Sequence, residues 1–346
     1  MTPAFRLTAN TPLQARNTFG VAATAPWLVE IHDAAALPDV LALPQVAQAP
    51  ALVIGGGSNL LFAGDPEGAV ISLSTRDIRM LSQDDGHAIV RADAGVAWHP
   101  LVMWTLEHGL GGLENLALIP GTAGASPIQN IGAYGTEVGE FIRAVEALDR
   151  HSGEPRRLGR DACAFAYRDS VFKRQPDRYL VTAVEFALPR TPALRLDYAG
   201  LREELAAMGV ASPTARDVAD AVVRIRRRKL PDPAVVGNAG SFFKNPIVSQ
   251  AQAEALQTDY PTLPVFRGDA AHNRKLSAAW MIEACGWKGH RDGDAGVSAD
   301  HALVLVNHGR ATGAQLLSLA RRIAASVHER FGIAIEPEPK VIGASW

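Results

Sequence analysis

Residues 119–135 read IPGTAGASPIQNIGAYG, and this glycine-rich stretch limits the folds that the chain can adopt. Pro120-Gly121 predicts a turn, and the next four residues are small enough for a flat ring or a diphosphate to lie against the backbone. Gln129 and Asn130 offer amide donors and acceptors for the edge of a heterocycle. A loop this long with few side chains to pack is costly in chain entropy. We therefore interpret it as a ligand-binding loop.

A second glycine-rich stretch lies upstream, where the apolar run Ala51–Ile54 leads into the sequence GGGSN at Gly55–Asn59. Exposed backbone N–H groups in such a turn can bind a phosphate. The dinucleotide fingerprint GxGxxG is absent, since Leu60 occupies its last position, and no Gly-Lys-Ser/Thr follows. A tight loop that only joins two strands is the alternative. Residues 51–139 hold 15 of the 31 glycines, so the positions at which the backbone can closely approach another group are concentrated there.

The composition is that of a globular protein with two or three domains: 346 residues, 47% hydrophobic and 20% charged. A net charge of −2 provides no basic field for nucleic acid. No run approaches the roughly 18 apolar residues of a membrane span, so we expect no membrane partner. The two cysteines, Cys163 and Cys285, form no CxxC, and no HExxH is present. We expect reduced thiols, no metal site and a cytoplasmic protein.

Hydrophobic periodicity predicts an α+β chain with mixed sheets. The balance of predicted strands and helices changes near Leu230–Pro233, where two prolines would stop a helix. Strands are predicted at residues 27–32, 51–54, 69–73, 87–92, 143–148, 179–188, 302–306 and 333–335. Helices are predicted at residues 99–108, 215–228, 249–257, 275–285 and 313–331.

Several short motifs carry candidate catalytic groups. Arg168 is a cation suited to gripping a carboxylate, with a surface ion pair to Asp169 or a nearby acid as the alternative. Ser241 precedes two phenylalanines and is expected to project from a tight turn, unless its hydroxyl simply bonds to backbone. Glu336 or Glu338, held between prolines, is a candidate acid, and an exposed acidic turn is the alternative.

The basic run VRIRRRK at residues 223–229 lies at the end of a predicted helix. It is most simply a solvated face with favourable contacts to the helix dipole. Lys229, just before the proline break, is best placed to contact a diphosphate. Nucleic-acid binding is the weaker interpretation, because no aromatic residues interleave the run.

Together, seven segments resemble the UDP-N-acetylenolpyruvoylglucosamine reductase (UDP-N-acetylmuramate dehydrogenase) family, in family order. They are NTF at 17–19, GGGSNLL at 55–61, the loop at 119–135, YRDSVFK at 167–173, KLPDP at 229–233, GNAGSFFKNP at 237–246 and EPE at 336–338. They extend from Asn17 to Glu338 and so cover nearly the whole chain.

The resemblance implies a fold of the α+β class. It has a two-part FAD-binding region of the vanillyl-alcohol-oxidase/PCMH type and a separate α+β substrate-binding domain. The implied domains are residues 1–75, to which a tail at 340–346 would return, 76–230, and 231–339. FAD would be non-covalent, since Gly55–Leu61 contains no histidine or cysteine, and NADPH would donate hydride. The implied reaction converts UDP-N-acetylenolpyruvoylglucosamine to UDP-N-acetylmuramate for peptidoglycan synthesis, in a monomer.

The resemblance also assigns site residues. Arg168, Ser241 and Glu338 would be catalytic, with Ser241 as proton donor. Tyr134, Tyr198, Lys229 and Asn245 would contact substrate, and Leu196-Asp197-Tyr198 is similar to a subtype that carries a tyrosine on an extra loop. The cofactor residues would be Gly55, Gly56, Gly57, Ser58, Asn59, Leu60, Pro120, Gly121, Thr122, Gly124, Ala125, Gln129, Asn130 and Gly132.

One departure and two other functions stay open. Pro339-Lys340 replaces a more familiar Val-Arg pair, and lysine lacks the planar fork of arginine, which leaves the role of Lys340 undecided. An FAD-dependent oxidase of the same fold class, acting on another sugar or alcohol, would be reoxidised by oxygen. A UDP-sugar-binding module without turnover would purify colourless.

Overall fold

The structure is a computed structural model that describes residues 3–268 and 270–346. It divides the chain into two compact units, and each is built from separated stretches of sequence. The first unit contains residues up to 11, 26–56 and 67–228. The second contains residues 12–25, 57–66 and 229–346.

The strands follow one another closely along the chain. They are β1 (Phe5–Pro12), β2 (Thr24–Ile31), β3 (Leu52–Ile54), β4 (Leu60–Phe62), β5 (Val70–Leu73), β6 (Ile78–Gln83), β7 (His87–Asp93), β8 (Gly132–Ala133), β9 (Thr136–Glu137), β10 (Ile142–Asp149), β11 (Pro155–Gly159), β12 (Tyr179–Pro189), β13 (Gly237–Ser241), β14 (Ile247–Ser249), β15 (Val265–Arg267), β16 (Asn273–Leu276), β17 (Arg291–Asp292), β18 (Ala295–Val297), β19 (Val304–Asn307) and β20 (Lys340–Ile342).

The helices are mostly short. They are α1 (Leu37–Ala42), α2 (Pro44–Ala47), α3 (Trp98–Glu107), α4 (Arg160–Cys163), α5 (Val171–Arg174), α6 (Leu201–Ala207), α7 (Ala215–Lys229), α8 (Gln250–Asp259), α9 (Ala278–Ala284) and α10 (Gly313–Phe331). Further 3₁₀ turns occupy Gln14–Arg16, Ala34–Ala36, Glu114–Leu116, Ala123–Ala125 and Val138–Glu140.

The first unit contains two sheets. One has the strand order β1-β2-β5-β3, with β5 parallel to both β2 and β3. Its buried side chains, such as Ile31 and Ile71, pack with Leu37 and Val40 of α1. The other sheet is antiparallel, with the order β11-β10-β12-β7-β6.

Helices α3, α6 and α7 contribute to a second core in this unit, together with the antiparallel sheet. Helical spacing places Val218, Val222 and Ile225 on one buried face of α7. Trp98 and Phe186 are both fully buried there, and their rings meet edge to face with centroids 6.0 Å apart.

Alternate residues of the antiparallel sheet carry paired charges, as expected for a strand period of two. Arg91 of β7 donates to both carboxylate oxygens of Glu146 at 2.9 and 2.8 Å and to Asp93 at 2.7 Å. Arg157 of β11 donates to Glu185 of β12 at 2.7 and 2.6 Å. The Arg157 guanidinium lowers the pKa of the nearly buried Glu185 carboxyl. The charged face is therefore cross-linked across four neighbouring strands.

The second unit contains sheets with the orders β13-β19-β18-β17 and β14-β16-β15 and a parallel pair, β4 with β20. Its longest helix, α10, begins at the Thr312 capping box with Gln315 and ends at Gly332 with φ 67°. The first residue of this helix lies close to β4: a Cβ on Gly313 would be 1.8 Å from the carbonyl oxygen of Phe62. Only glycine fits at that point.

Most predicted elements are present, and three expectations are wrong. The segment predicted as one helix at 275–285 divides into the end of β16 and α9, because the Ser277 side chain caps a helix that begins at Ala278. The predicted strand at 333–335 is extended but belongs to no ladder. Ser241 ends a strand, β13, instead of projecting from a tight turn.

No helix among the described residues is long and apolar enough to cross a bilayer. No group of three His, Cys, Asp or Glu side chains in those residues could hold a metal ion. Cys163 and Cys285 are free thiols, and burial raises the pKa of Cys163 to about 12.

We expect Phe186→Ala to lower the free energy of unfolding by about 3–5 kcal/mol, because it leaves a cavity beside Trp98. Leu81→Ala in β6 is the matched control, since Leu81 is 49% exposed. Urea titrations followed by circular dichroism would measure both. Equal unfolding midpoints for the two variants would contradict this assignment of the core.

Candidate functional site

The two glycine-rich loops touch each other inside the first unit. A Cβ on Gly55 would lie 2.6 Å from Thr122 Oγ1, and one on Gly56 would lie 3.2 Å from the Cα of Gly121. Gly121 has φ 123°, a conformation that L side chains rarely adopt. The glycines at these positions therefore allow two backbones to run in contact, with Gly55 and Gly56 exposed.

Residues 94–99, which we call the bracing segment, hold the second loop through backbone hydrogen bonds. The N–H of Trp98 donates to Gly121 O at 3.0 Å, and the N–H of Ala123 donates to Val96 O at 2.8 Å. The Gly124 N–H donates to Ala94 O at 3.0 Å. A Cβ on Gly124 would be 2.5 Å from that of Ala94, so this buried glycine serves packing.

The predicted cofactor residue Asn130 is buried, and its amide is used within the protein. Its Nδ2 donates to Glu137 at 2.7 Å and to Ala166 O at 3.1 Å, while its Oδ1 accepts from the Gly139 N–H at 2.8 Å. Both Nδ2 hydrogens are thereby used within the protein, while Oδ1 keeps a second lone pair. Asn130 therefore fixes the end of the loop.

Tyr134 and Tyr198, the two tyrosines predicted to contact substrate, meet each other. Their ring centroids are 4.9 Å apart in an edge-to-face arrangement, with Tyr198 half exposed. Burial raises the pKa of Tyr134, and the positive charge of the nearby Arg226 opposes that shift. The first unit thus brings together two phenol groups and a cation.

Arg226 is the residue that the sequence analysis missed, because Lys229 was favoured within the same basic run. Arg226 follows the buried Val222 by four residues, so helical spacing already placed it on the inner face. Burial lowers its pKa, and within the described residues its Nε has no hydrogen-bond partner. Arg224 and Arg228 instead pair with Glu204.

Arg168 is held against the loop in a left-handed backbone conformation, φ 53°. Its Nη2 donates to Gly132 O at 2.8 Å, and Lys173 Nζ donates to the Arg168 carbonyl at 2.8 Å. Asp169, one of the acids considered in the alternative, pairs with Arg174. Arg168 is therefore directed toward Gly132.

In the second unit, Ser241 and Glu338 lie on two segments that are joined by backbone hydrogen bonds. The N–H of Glu338 donates to Phe242 O at 2.7 Å, and the N–H of Lys244 donates to Glu336 O at 3.0 Å. Within the part of the chain that the structure describes, the Ser241 hydroxyl makes no hydrogen bond. The proton of that hydroxyl is thus not committed to a protein acceptor.

Glu338 is fixed from a second side by the loop that follows Gly57. Asn59 Nδ2 donates to Glu338 O at 3.3 Å, and the N–H of Lys340 donates to Asn59 O at 3.0 Å. Gly57 itself is buried, since a Cβ there would be 2.0 Å from Arg16 O. Lys340 is exposed and begins β20.

Of the remaining predicted substrate residues, Asn245 directly follows Lys244 in the sequence. Asn245 Oδ1 accepts from the N–H of Ala278, the first residue of α9, at 3.0 Å. Lys229 is exposed at the end of α7. Burial lowers the pKa of His301, and the positive charge of Lys229 lowers it further, which places a cation near that ring.

Comparison with known proteins identifies the family. A family model described as UDP-N-acetylenolpyruvoylglucosamine reductase, C-terminal domain, matches residues 232–342, and an FAD binding domain model matches residues 25–159. The UDP-N-acetylenolpyruvoylglucosamine reductase of Xanthomonas euvesicatoria pv. vesicatoria is 61% identical over 99% of this chain and 98% of that protein. The chain belongs to this reductase family.

Two further members of the reductase family agree with that result. The enzyme of Xanthomonas oryzae pv. oryzae (strain PXO99A) is 60% identical over 99% of this chain and 98% of its own. The crystal structure of the Thermus caldophilus reductase superposes with a TM-score of 0.69 at 26% identity, covering 97% of this chain and 99% of that one. The predicted fold class, an FAD-binding region of the vanillyl-alcohol-oxidase/PCMH type with a separate C-terminal domain, is confirmed.

FAD is the cofactor of this reductase family, and the donor set of the two loops fits it. Exposed backbone at Gly55 and Gly56 lies beside Gly121 and Thr122, and no bulky side chain intervenes. Clustered backbone amides of this kind suit a diphosphate.

Gly56→Ala is expected to weaken FAD binding about tenfold or more, because its Cβ would push against the backbone of Gly121 and overpacking costs about 1–3 kcal/mol. Gly159→Ala is the control, since a Cβ there meets nothing within 4 Å. Flavin absorbance per protein after dialysis would compare them. Full flavin content in Gly56→Ala would show that the contact between the loops is not needed for the cofactor.

Proposed function

We propose that this chain reduces the enolpyruvyl group of UDP-N-acetylenolpyruvoylglucosamine to give UDP-N-acetylmuramate, with NADPH as hydride donor and non-covalent FAD as carrier. The observation that carries the proposal is the 61% identity over 99% of the chain to a reductase of that name. The joined segments of Ser241 and Glu338 support it, because the reaction needs a proton donor and a carboxylate-binding group on the same substrate.

The reaction adds a hydride and a proton across a carbon–carbon double bond. When bound, FAD would supply the hydride chemistry that links NADPH oxidation to reduction of the vinyl carbon of the enolpyruvyl ether. Negative charge then gathers on the substrate carboxylate. Arg168 stabilises this charge electrostatically, which is usually a large contribution to catalysis. Its backbone is already fixed by Lys173, so little reorganisation is needed.

Ser241 donates the proton to the carbon next to the site of hydride addition. A serine hydroxyl is a weak acid, but the carbon that receives the proton is strongly basic and the donor is held in place. Glu338 acts with Arg168 to polarise the substrate carboxylate.

The proposed substrate contacts are Tyr134, Tyr198, Lys229 and Asn245. Tyr134 and Tyr198 form one edge-to-face pair in the first unit. Asn245 has committed its Oδ1 to α9, so its contribution is the Nδ2 donor. Lys229 contributes positive charge to the diphosphate. The proposed cofactor contacts are those assigned by the resemblance. Among them, the Asn130 amide acts by holding the end of the loop in position.

The product is a precursor of peptidoglycan, so we place the protein in cell-wall synthesis and hence in the maintenance of cell shape and division. We propose a cytoplasmic monomer. The domain limits we propose remain residues 1–75, 76–230 and 231–339, with the tail at 340–346 returning to the first. The parallel pairing of β20 with β4 supports the return of that tail.

The purified protein is expected to be yellow, to bleach when NADPH is added without oxygen, and to recover its colour when the enolpyruvyl UDP-sugar follows. Absorbance spectra recorded at each addition would test the whole sequence of steps. Reduced flavin that ignores the UDP-sugar but is rapidly reoxidised by oxygen would favour an oxidase and refute the proposed reaction.

Ser241→Ala is expected to keep NADPH-dependent bleaching and to slow recovery by the UDP-sugar by about 10²–10⁴-fold, the usual contribution of a general acid. Stopped-flow absorbance separates the two half-reactions. Ser212→Ala, at an exposed position, is the control. Recovery at the unaltered rate in Ser241→Ala would exclude Ser241 as the proton donor.

A further inference from the structure

His99, in the first turn of α3, makes a side-chain hydrogen bond to the start of the second glycine-rich loop. The N–H of Leu118 donates to Nδ1 of His99 at 3.1 Å. A backbone N–H can only donate, so Nδ1 must carry no proton and the ring must be the neutral form with its hydrogen on Nε2. The bond therefore exists in one protonation state only.

Leu118 needs an external restraint at this point. Its φ is 58°, in the left-handed region that a leucine rarely occupies. Backbone strain of this kind persists where surrounding contacts over-determine the conformation. Leu118 lies two residues before Pro120, so its conformation sets the direction in which the loop leaves the core.

The other ties from the bracing segment are backbone hydrogen bonds, such as that from Trp98 to Gly121, and the bond from the Trp98 indole N–H to Leu116 O at 2.8 Å. Those bonds do not titrate in the acid range. His99 is the only titratable side chain in residues 94–99. The bracing segment thus contains a single contact that acid can remove.

The surroundings of His99 favour its neutral form. Burial lowers its pKa, and the positive charges of Arg227, Arg216 and Arg226 on α7 lower it further, while Asp220 on the same helix opposes them. Position in the first turn of α3 acts in the same direction, since the positive end of the helix dipole disfavours an imidazolium.

We propose that His99 is a positioning residue for FAD: by accepting the Leu118 N–H it fixes the entrance to the loop, and protonation of its ring releases the loop and weakens FAD binding. The inference rests on the proposed assignment of Pro120–Gly132 to the cofactor. The sign follows from the lowered pKa: binding is unaffected above about pH 6.5, the ordinary value for histidine, and weakens as the pH falls through the lower value.

Two substitutions separate the hydrogen bond from the bulk of the ring. His99→Asn keeps an acceptor, Oδ1, near the place of Nδ1 but cannot titrate. His99→Leu removes the acceptor and keeps a half-buried side chain. The dissociation constant of FAD, measured by flavin fluorescence on the apoprotein at about pH 7.5 and 5.5, is the readout.

The wild-type dissociation constant should rise between the two pH values, toward a limit of about tenfold once the ring is fully protonated, which is the effect of losing one partly buried hydrogen bond. His99→Asn should bind FAD like the wild type at the higher pH and change by no more than about twofold at the lower one. His99→Leu should bind about tenfold more weakly at both. The thermal unfolding midpoint of each apoprotein, measured alongside, identifies a variant that has lost its fold.

Two results would overturn the inference. The first is a folded His99→Leu protein that binds FAD as tightly as the wild type at the higher pH. The second is a His99→Asn protein that loses affinity in acid as steeply as the wild type. Failure of the wild-type protein to reduce the UDP-sugar would refute the proposed reaction, while this series on FAD affinity would still decide the role of His99.

Discussion

The contact of backbone against backbone between Gly56 and Gly121 is the constraint on which the candidate cofactor site depends. Thr122 is the side chain that lies against Gly55, and the position of the second loop is set by hydrogen bonds from elsewhere. The bracing segment supplies those bonds to residues 121–124, and Asn130 supplies them at the far end. Glycine is therefore required for the approach of the two loops as much as for the approach of a ligand.

Side-chain amide and guanidinium groups hold several loops in place through hydrogen bonds to backbone atoms. Asn17, in the NTF motif, donates to Leu13 O and Val21 O and accepts from the Val21 N–H, so one side chain closes a turn in the second unit. Arg168 donates to one backbone atom, Gly132 O. These bonds satisfy backbone atoms that would otherwise be costly to bury. Residues that look functional by motif thus also maintain the loops.

Local patterns were sufficient for elements whose signals are local. The capping box at Thr312 and the glycine at 332 set both ends of α10, and the glycine-rich loops were found at their true positions. Contacts between residues that are distant in sequence could not be predicted from local patterns. Residues 333–335 are strand-like in composition, yet no ladder accepts them. The electrostatic interaction of Arg226 with Tyr134, almost a hundred residues away, could not be inferred from spacing along one helix.

The second unit is discontinuous in the chain, and this has a consequence for how the protein is made. Strand β4 pairs with β20, and Asn307 donates a side-chain hydrogen bond to Phe19 O at 2.9 Å, so early and late residues share one fold. During synthesis, residues 12–25 and 57–66 leave the ribosome long before their partners exist. The first unit can form on the nascent chain, whereas the second must wait for the C-terminus. A fragment beginning at residue 229 would lack part of its own core.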